Sequence, residues 1–162
     1  MAYKTITLDS DALKKEGIAS GTIYPGMLLE RTTASKTVKV HATAGGNCQK
    51  LVAIEDENQG KEISEAYDTT TRVFFIAPRR GDVVLMRVLN GQKVTMGDFV
   101  ESAGSGYVQK HTPDKESLSL DSSSAKRQSI YAEPIIGVAL TTVDMTGSSA
   151  ADPDGLVQIE II

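Results

Sequence analysis

The chain has 162 residues, a formal charge of −4, 40% apolar residues, only 5% aromatics and no Trp. That length suits one domain whose core needs no staples, and the core must be filled by Val, Ile, Leu and Met. The acidic balance argues against a broad phosphate-neutralising surface, so no direct nucleic-acid partner is expected.

The lone Cys48 excludes an internal disulfide and a thiolate zinc site. No basic-then-apolar leader opens the sequence, and no apolar run approaches the roughly 20 residues that cross a bilayer, so no membrane partner is expected.

Tyr3 to Leu8 alternates polar and apolar residues, with Ile6 and Leu8 on one face, which predicts an edge strand or extended arm. Ser10-Asp11-Ala12-Leu13-Lys14-Lys15-Glu16-Gly17 has capping residues in front and Gly behind, which predicts about two turns of helix. Residues 1–20 therefore read as an arm and short helix ahead of a single β domain over 21–162. Pro25-Gly26 predicts a type II turn that leads Met27-Leu28-Leu29 into the core. Thr37-Val38-Lys39-Val40-His41 reads as a half-exposed strand, with Val38 and Val40 inward and Lys39 and His41 outward. Leu51 to Ile54 is a short buried strand closed by the acidic run Glu55-Asp56-Glu57. Lys61 to Tyr67 suits one helical turn or an ordered loop, and Pro78 ends a strand begun at Arg72.

Gly81 to Lys110 carries the densest pattern. Asn90-Gly91 between apolar runs predicts a hairpin, because both central residues of a type I′ turn take positive φ. Gly-Asp opens an apolar strand twice, at Gly81-Asp82 and Gly97-Asp98, and Gly104-Ser105-Gly106 turns into Tyr107 to Lys110. His111 to Glu133, with six serines between Ser117 and Ser129, reads as a polar insertion at about 111–133. Pro134 to Leu140 returns to the core, and Leu156 to Ile162 alternates to the last residue, which predicts a paired terminal strand. Together these elements predict an all-β, mainly antiparallel fold. It is a small β-barrel or β-sandwich with an extended N-terminal arm, one or two short helical turns and a long polar loop.

No catalytic or metal-ligating constellation emerges. His41 and His111 have no Cys, Asp or Glu at ligand or triad spacing and read as solvated. Asp152-x-Asp154-Gly155 lacks the further oxygen ligands of a calcium loop, and Gly45-Gly46 lacks the Lys-Ser/Thr of a phosphate loop. The expectation is a protein that is not an enzyme and uses no cofactor or metal. Arg80-Gly81-Asp82 spells an adhesion tripeptide, but the recurrence of Gly-Asp at 97–98 makes it a strand-opening turn. Arg79 and Arg80 are candidates for pairing with acidic groups on a protein partner.

A resemblance rests on the turn and strand words Tyr3-Lys4-Thr5, Tyr24-Pro25-Gly26-Met27-Leu28, His41-Ala42-Thr43-Ala44-Gly45-Gly46-Asn47, Ala53-Ile54-Glu55-Asp56 and Gln59-Gly60-Lys61. With Gly81-Asp82, Gly97-Asp98-Phe99-Val100-Glu101-Ser102-Ala103-Gly104 and Ile136-Gly137-Val138-Ala139-Leu140, the chain resembles capsid decoration (head cement) proteins of tailed bacteriophages. The resemblance covers most of the chain and is weakest in the serine-rich loop. It implies a structural protein, made in the host cytoplasm, that binds the outer face of the capsid head and stabilises it by bridging capsomers. The implied partners are the major capsid protein and other copies of the chain, as a homotrimer. Contacts are expected from the arm, through Tyr3, Lys4, Ile6 and Leu8, and from Arg79 and Arg80. The alternative is a virion-surface β-barrel module that recognises a host receptor or carbohydrate, for which the lack of Trp leaves little aromatic platform.

Overall fold

Residues 4–112, 134–147 and 155–162 are described by a computed structural model. In chain order the strands are β1 (Thr7–Asp9), β2 (Lys14–Ala19), β3 (Leu28–Arg31), β4 (Thr37–Val40), β5 (Leu51–Ala53), β6 (Arg72–Ile76) and β7 (Val83–Arg87). There follow β8 (Lys93–Val94), β9 (Phe99–Gly104), β10 (Tyr107–Lys110), β11 (Ile135–Ala139), β12 (Val143–Asp144) and β13 (Leu156–Ile161). Among the described residues the helical content is one 3-10 turn, Glu57–Gln59. The fold is all-β, as the alternating segments predicted.

The strands divide into two bodies. A six-stranded antiparallel sheet runs β1-β7-β13-β11-β9-β10, and a closed five-stranded barrel runs β2-β4-β3-β5-β6, with β8 and β12 forming a small ribbon. Inside the barrel β2 and β4 are parallel and the other pairs antiparallel. Each body has its own core, aliphatic except for Tyr67 and Phe75 in the barrel. Ile6, Leu28, Val84, Met86, Val157, Ile159 and Ile161 belong to the one that packs the sheet. Ala19, Ile23, Leu29, Val38, Leu51, Val73 and Phe75 fill the barrel.

The two bodies meet through backbone hydrogen bonds as well as side chains. The hairpin between β9 and β10 sets its tip against the start of β3 and the end of β4, where Leu28 N donates to Gly106 O at 2.8 Å and Gly106 N donates to His41 O at 3.0 Å. Gly106 has φ +80, and a Cβ there would lie 3.1 Å from Met27 Cβ and 3.2 Å from Val40 Cβ. Only glycine combines that conformation with that approach.

Several turns form as their residues dictate. Met27 N donates to Tyr24 O at 3.1 Å with Gly26 at φ +84, the hydrogen bond and dihedral of a type II turn. Alternating Leu156 to Ile161 pairs with β7 on one side and β11 on the other.

Two expectations are corrected. Ser10 to Gly17 is not a helix: Lys14–Ala19 is β2, paired with β6 from Lys14↔Ile76 to Ile18↔Arg72. Two isolated helical turns are marginal, whereas the strand pairs along β6 and closes the barrel; Ser10 Oγ accepts from Ala12 N at 3.1 Å without starting a helix. Asn90-Gly91 makes a turn, with Gln92 N donating to Leu89 O at 3.1 Å, but only Gly91 has positive φ. A turn with one positive φ in that place does not match the strand twist of a tight hairpin. The chain accordingly leaves β7, which pairs with β1 and β13, and β8 pairs with β12. The two-residue hairpin with both φ positive lies instead at Ser105 (φ 52) and Gly106 (φ 80), between β9 and β10.

Candidate partner-binding surfaces

The arm is docked onto the chain's own sheet. Ile6 N donates to Glu55 Oε2 at 3.1 Å, the Thr5 hydroxyl donates to the other Glu55 oxygen, and Leu85 N donates to Ile6 O at 2.8 Å. Ile6 is fully buried, so its side chain belongs to the core rather than to an outward contact. Lys4 and Leu8 remain exposed, and Tyr3 lies outside the described residues.

Arg79 and Arg80 are exposed on the turn between β6 and β7. Asp82 builds that turn: Arg79 N donates to Asp82 Oδ2 at 2.8 Å, Asp82 N donates to Arg79 O at 3.1 Å, and Gly81 has φ +91. Ser10 Oγ donates to the same carboxylate oxygen at 2.7 Å, which fastens the end of the arm beside the two arginines. Leu8, Arg79 and Arg80 thus share one end of the β1–β7 edge. The second Gly-Asp is a copy of the first, with Thr95 N donating to Asp98 Oδ2 at 2.8 Å, Asp98 N donating to Thr95 O at 2.9 Å, and Gly97 at φ +89. In both, the glycine N–H bonds a neighbouring strand end, Gly81 to Ile161 O and Gly97 to Ala139 O, each at 2.8 Å. Asp82 is consumed by turn-building, not displayed for adhesion. Lys110 also holds Asp98 at 2.8 Å. Burial pushes the Asp98 carboxyl up, but Lys110 and the Thr95 N–H outweigh it and hold it below the usual range.

Neither histidine is simply solvated. His41 is buried because β9 covers the barrel end that the alternation placed outward; its Nδ1 lies 2.8 Å from Ser102 Oγ and its Nε2 3.1 Å from Asn47 O. Glu30 Oε2 stands 3.7 Å from that Nε2. A hydroxyl, an imidazole and a carboxylate in one line suggest nucleophilic chemistry, but Ser102 has no exposed surface and its Oγ accepts from Gly104 N at 3.1 Å. The group clamps β9 to the barrel. His111 Nδ1 is 2.5 Å from Glu101 Oε2, and Gln109 Nε2 donates to Glu101 Oε1 at 2.9 Å. Among the described residues no cluster of three His, Cys, Asp or Glu could hold a metal ion. Cys48 is half-buried, and burial raises its thiol pKa.

Two surface features escaped the sequence reading. Across the outer face of the sheet, Val83, Glu160, Val138 and Phe99 stand opposite one another. At the β9 end of that row Phe99 is half-exposed and Met96 two-thirds exposed. The other is a cavity at the barrel seam, where barrel closure brings Lys15 of β2 beside Arg31 and Lys36 of the β3–β4 hairpin. Each lysine alone is an ordinary surface residue.

No family profile matches the chain, and no curated protein matches it in sequence. Among solved structures, the chain is similar to the N base of the head fibre protein gp8.5 of bacteriophage phi29, with a TM-score of 0.54. The likeness covers 93% of each chain at 10% sequence identity. What the two chains share is a fold.

Proposed function

We propose that this chain is a structural protein of a tailed-phage virion that binds the outer surface of the head and stabilises it by bridging capsomers. The observation that carries the reading is the likeness, over 93% of both chains, to the base of a phage head fibre. The family resemblance of the turn and strand words favours cement over other head components. The protein is not an enzyme in this reading and acts through contact alone, as a homotrimer on the major capsid protein.

Physical considerations fit that role. Capsid proteins act in many copies, so interfaces of order 1,000 Å² each can reinforce a shell by avidity without any single strong contact. The exposed Lys4 and Leu8, the Arg79–Arg80 turn and the Phe99–Met96 end of the sheet are the surfaces assigned to partners.

Cryo-electron microscopy of particles from the encoding phage tests this directly. Density for the chain across capsomer junctions is expected; density at fibre tips would favour receptor binding, and absence from the head would end the proposal. Particles lacking the chain should release DNA at lower temperature than complete ones. Equal retention would refute reinforcement.

A further inference from the structure

β2 and β4 close the barrel by parallel pairing at Ile18↔Thr37 and Ala19↔Val38. Beside this seam opens a cavity of about 260 Å³ lined by Lys15, Glu16, Arg31, Lys36, Val38 and Phe75, among others. Its floor is apolar, for Val38 and Phe75 are buried. Its rim is cationic.

The backbone fixes that rim. A Cβ on Gly17 would lie 2.9 Å from Lys36 O and 3.3 Å from the Phe75 ring, so the two strands approach this closely only through glycine. Lys36 holds φ +58, a left-handed conformation unusual outside glycine and asparagine. The turn that imposes it is pinned by Thr37 N to Ala34 O at 3.2 Å and Thr32 N to Thr37 O at 3.0 Å. Arg31 is steadied by Gln49, whose Oε1 accepts from its Nη1 at 3.1 Å.

The charge here opposes that of the molecule. Three cations face one carboxylate on a chain of net charge −4. That carboxylate, Glu16, already lies 3.6 Å from Arg72. Elsewhere on the surface Lys39, Lys93 and Lys110 each have a carboxylate partner within 2.9 Å. Lys15 and Lys36 form no ion pair among the described residues.

We propose that this cavity receives an acidic segment of a partner protein. A Glu or Asp carboxylate of the segment is held among Lys15, Arg31 and Lys36, and an adjacent apolar side chain lies toward Phe75 and Val38. The volume falls below that of a drug-sized ligand site and suits one or two side chains. A nucleic-acid backbone needs a longer basic track than one pocket on an acidic protein provides. The inference rests on the cavity and not on the capsid proposal, and its test uses the isolated chain, so either can fail alone.

The test is amide chemical-shift titration with a Leu-Glu-Leu-Glu peptide, its Leu-Gln-Leu-Gln counterpart and a single-stranded oligonucleotide. Expected is saturable movement of the Lys15, Lys36 and Phe75 amides with the acidic peptide at a Kd of about 1 mM or tighter. The Gln peptide should bind at least about tenfold more weakly. The double variant Lys15→Gln with Lys36→Gly, chosen because glycine accepts the positive φ, should keep its thermal midpoint and lose the acidic-peptide response by a similar factor. Equal response to the Gln peptide, no response at these amides, an unaffected double variant, or stronger binding of the oligonucleotide would overturn the proposal.

Discussion

His41 and Ser102 tie the barrel to the sheet, with Nδ1 and Oγ 2.8 Å apart across 61 positions of sequence. The Asn47 carbonyl can only accept, so its 3.1 Å contact places a proton on His41 Nε2. Nδ1 shares a hydrogen bond with the Ser102 hydroxyl, whose oxygen also accepts from Gly104 N. Every polar atom of the pair has a partner.

Breaking that chain should cost more than a surface hydrogen bond, because both side chains are buried. His41→Ala should lower unfolding free energy by about 2–4 kcal/mol and Ser102→Ala by about 1–2 kcal/mol. Urea denaturation of the double variant should show less than additive loss, with a coupling of at least about 0.5 kcal/mol. Strict additivity would mean that the two residues do not act together.

Glu55 should control the arm. Its carboxylate is buried and accepts from both Ile6 N and the Thr5 hydroxyl. Glu55→Ala removes a charge-assisted contact of about 1.5–3 kcal/mol. The Leu85 N–H, which donates to Ile6 O, should then exchange with solvent at least about tenfold faster, while amides inside the barrel keep their rates. Unchanged exchange at Leu85 would show that apolar burial of Ile6 alone holds the strand.

Legibility in the sequence was local. Pro25-Gly26, the paired Gly-Asp words and the alternation from Leu156 to Ile161 each carry their geometry within a few residues, and each formed as read. The errors arose where distant chain decides. Ser10 to Gly17 has helix-end residues, yet β6 offers β2 a full strand partner that no local pattern reveals. Asn90-Gly91 forms a turn, but the strand after it, β8, takes its partner from β12, about 50 residues away. The alternation around His41 was sound for a free strand end, and β9 then covered its polar side. Of the proposed contacts, Arg79 and Arg80 are on the surface on a turn bracketed by a Pro and a Gly, whereas Ile6 is buried in a core shared with distant strands and its N–H bonds Glu55, 49 residues away. The cavity at the barrel seam was illegible, since nothing local places Lys15 of β2 beside the β3–β4 hairpin that carries Arg31 and Lys36.

Acid should loosen the β8–β12 ribbon in a defined window. The Asp144 carboxyl is drawn down to about 2 by hydrogen bonds from the Thr146 hydroxyl, Lys93 and the Thr146 N–H, from an ordinary value of 3.8. The folded value lies below the unfolded one. The contribution is therefore whole above about pH 4 and is lost as pH falls through about 2. The Thr146 amide shift should titrate with that midpoint, and Asp144→Asn should abolish the titration. A midpoint near 4 would show that the contacts do not persist in solution.

Alkali acts through Tyr67. Burial is the main cause that raises its phenol pKa, and the hydroxyl donates to Ile54 O at 2.7 Å in the interior. The folded value exceeds the unfolded one near 10, so the stabilisation is whole below about pH 10 and declines above it. Tyr67→Phe should cost about 1 kcal/mol at neutral pH and flatten that alkaline decline. Ultraviolet absorbance separates the outcomes, since in the parent chain the Tyr67 phenolate should form together with unfolding and not before it.

Gly137 sets the tightest steric limit in the sheet. It lies in β11 between β13 and β9, opposite Ile161 and Val100, next to an irregularity in register. A Cβ there would lie 2.2 Å from Glu160 O and 2.6 Å from Ile159 Cγ2. The first of these atoms is backbone of a strand hydrogen-bonded on both sides, so it cannot rotate away as a side chain would. Gly137→Ala should therefore destabilise by about 3 kcal/mol or more, beyond the usual cost of overpacking. Gly91→Ala is the comparison: φ is +82, but a Cβ would meet nothing within 4 Å, and its cost should stay near 1 kcal/mol. Urea midpoints of the two variants decide the matter. If Gly91→Ala proves the more damaging, conformational strain rather than strand approach governs the sheet, and β11 stands farther from β13 than a 2.2 Å approach implies.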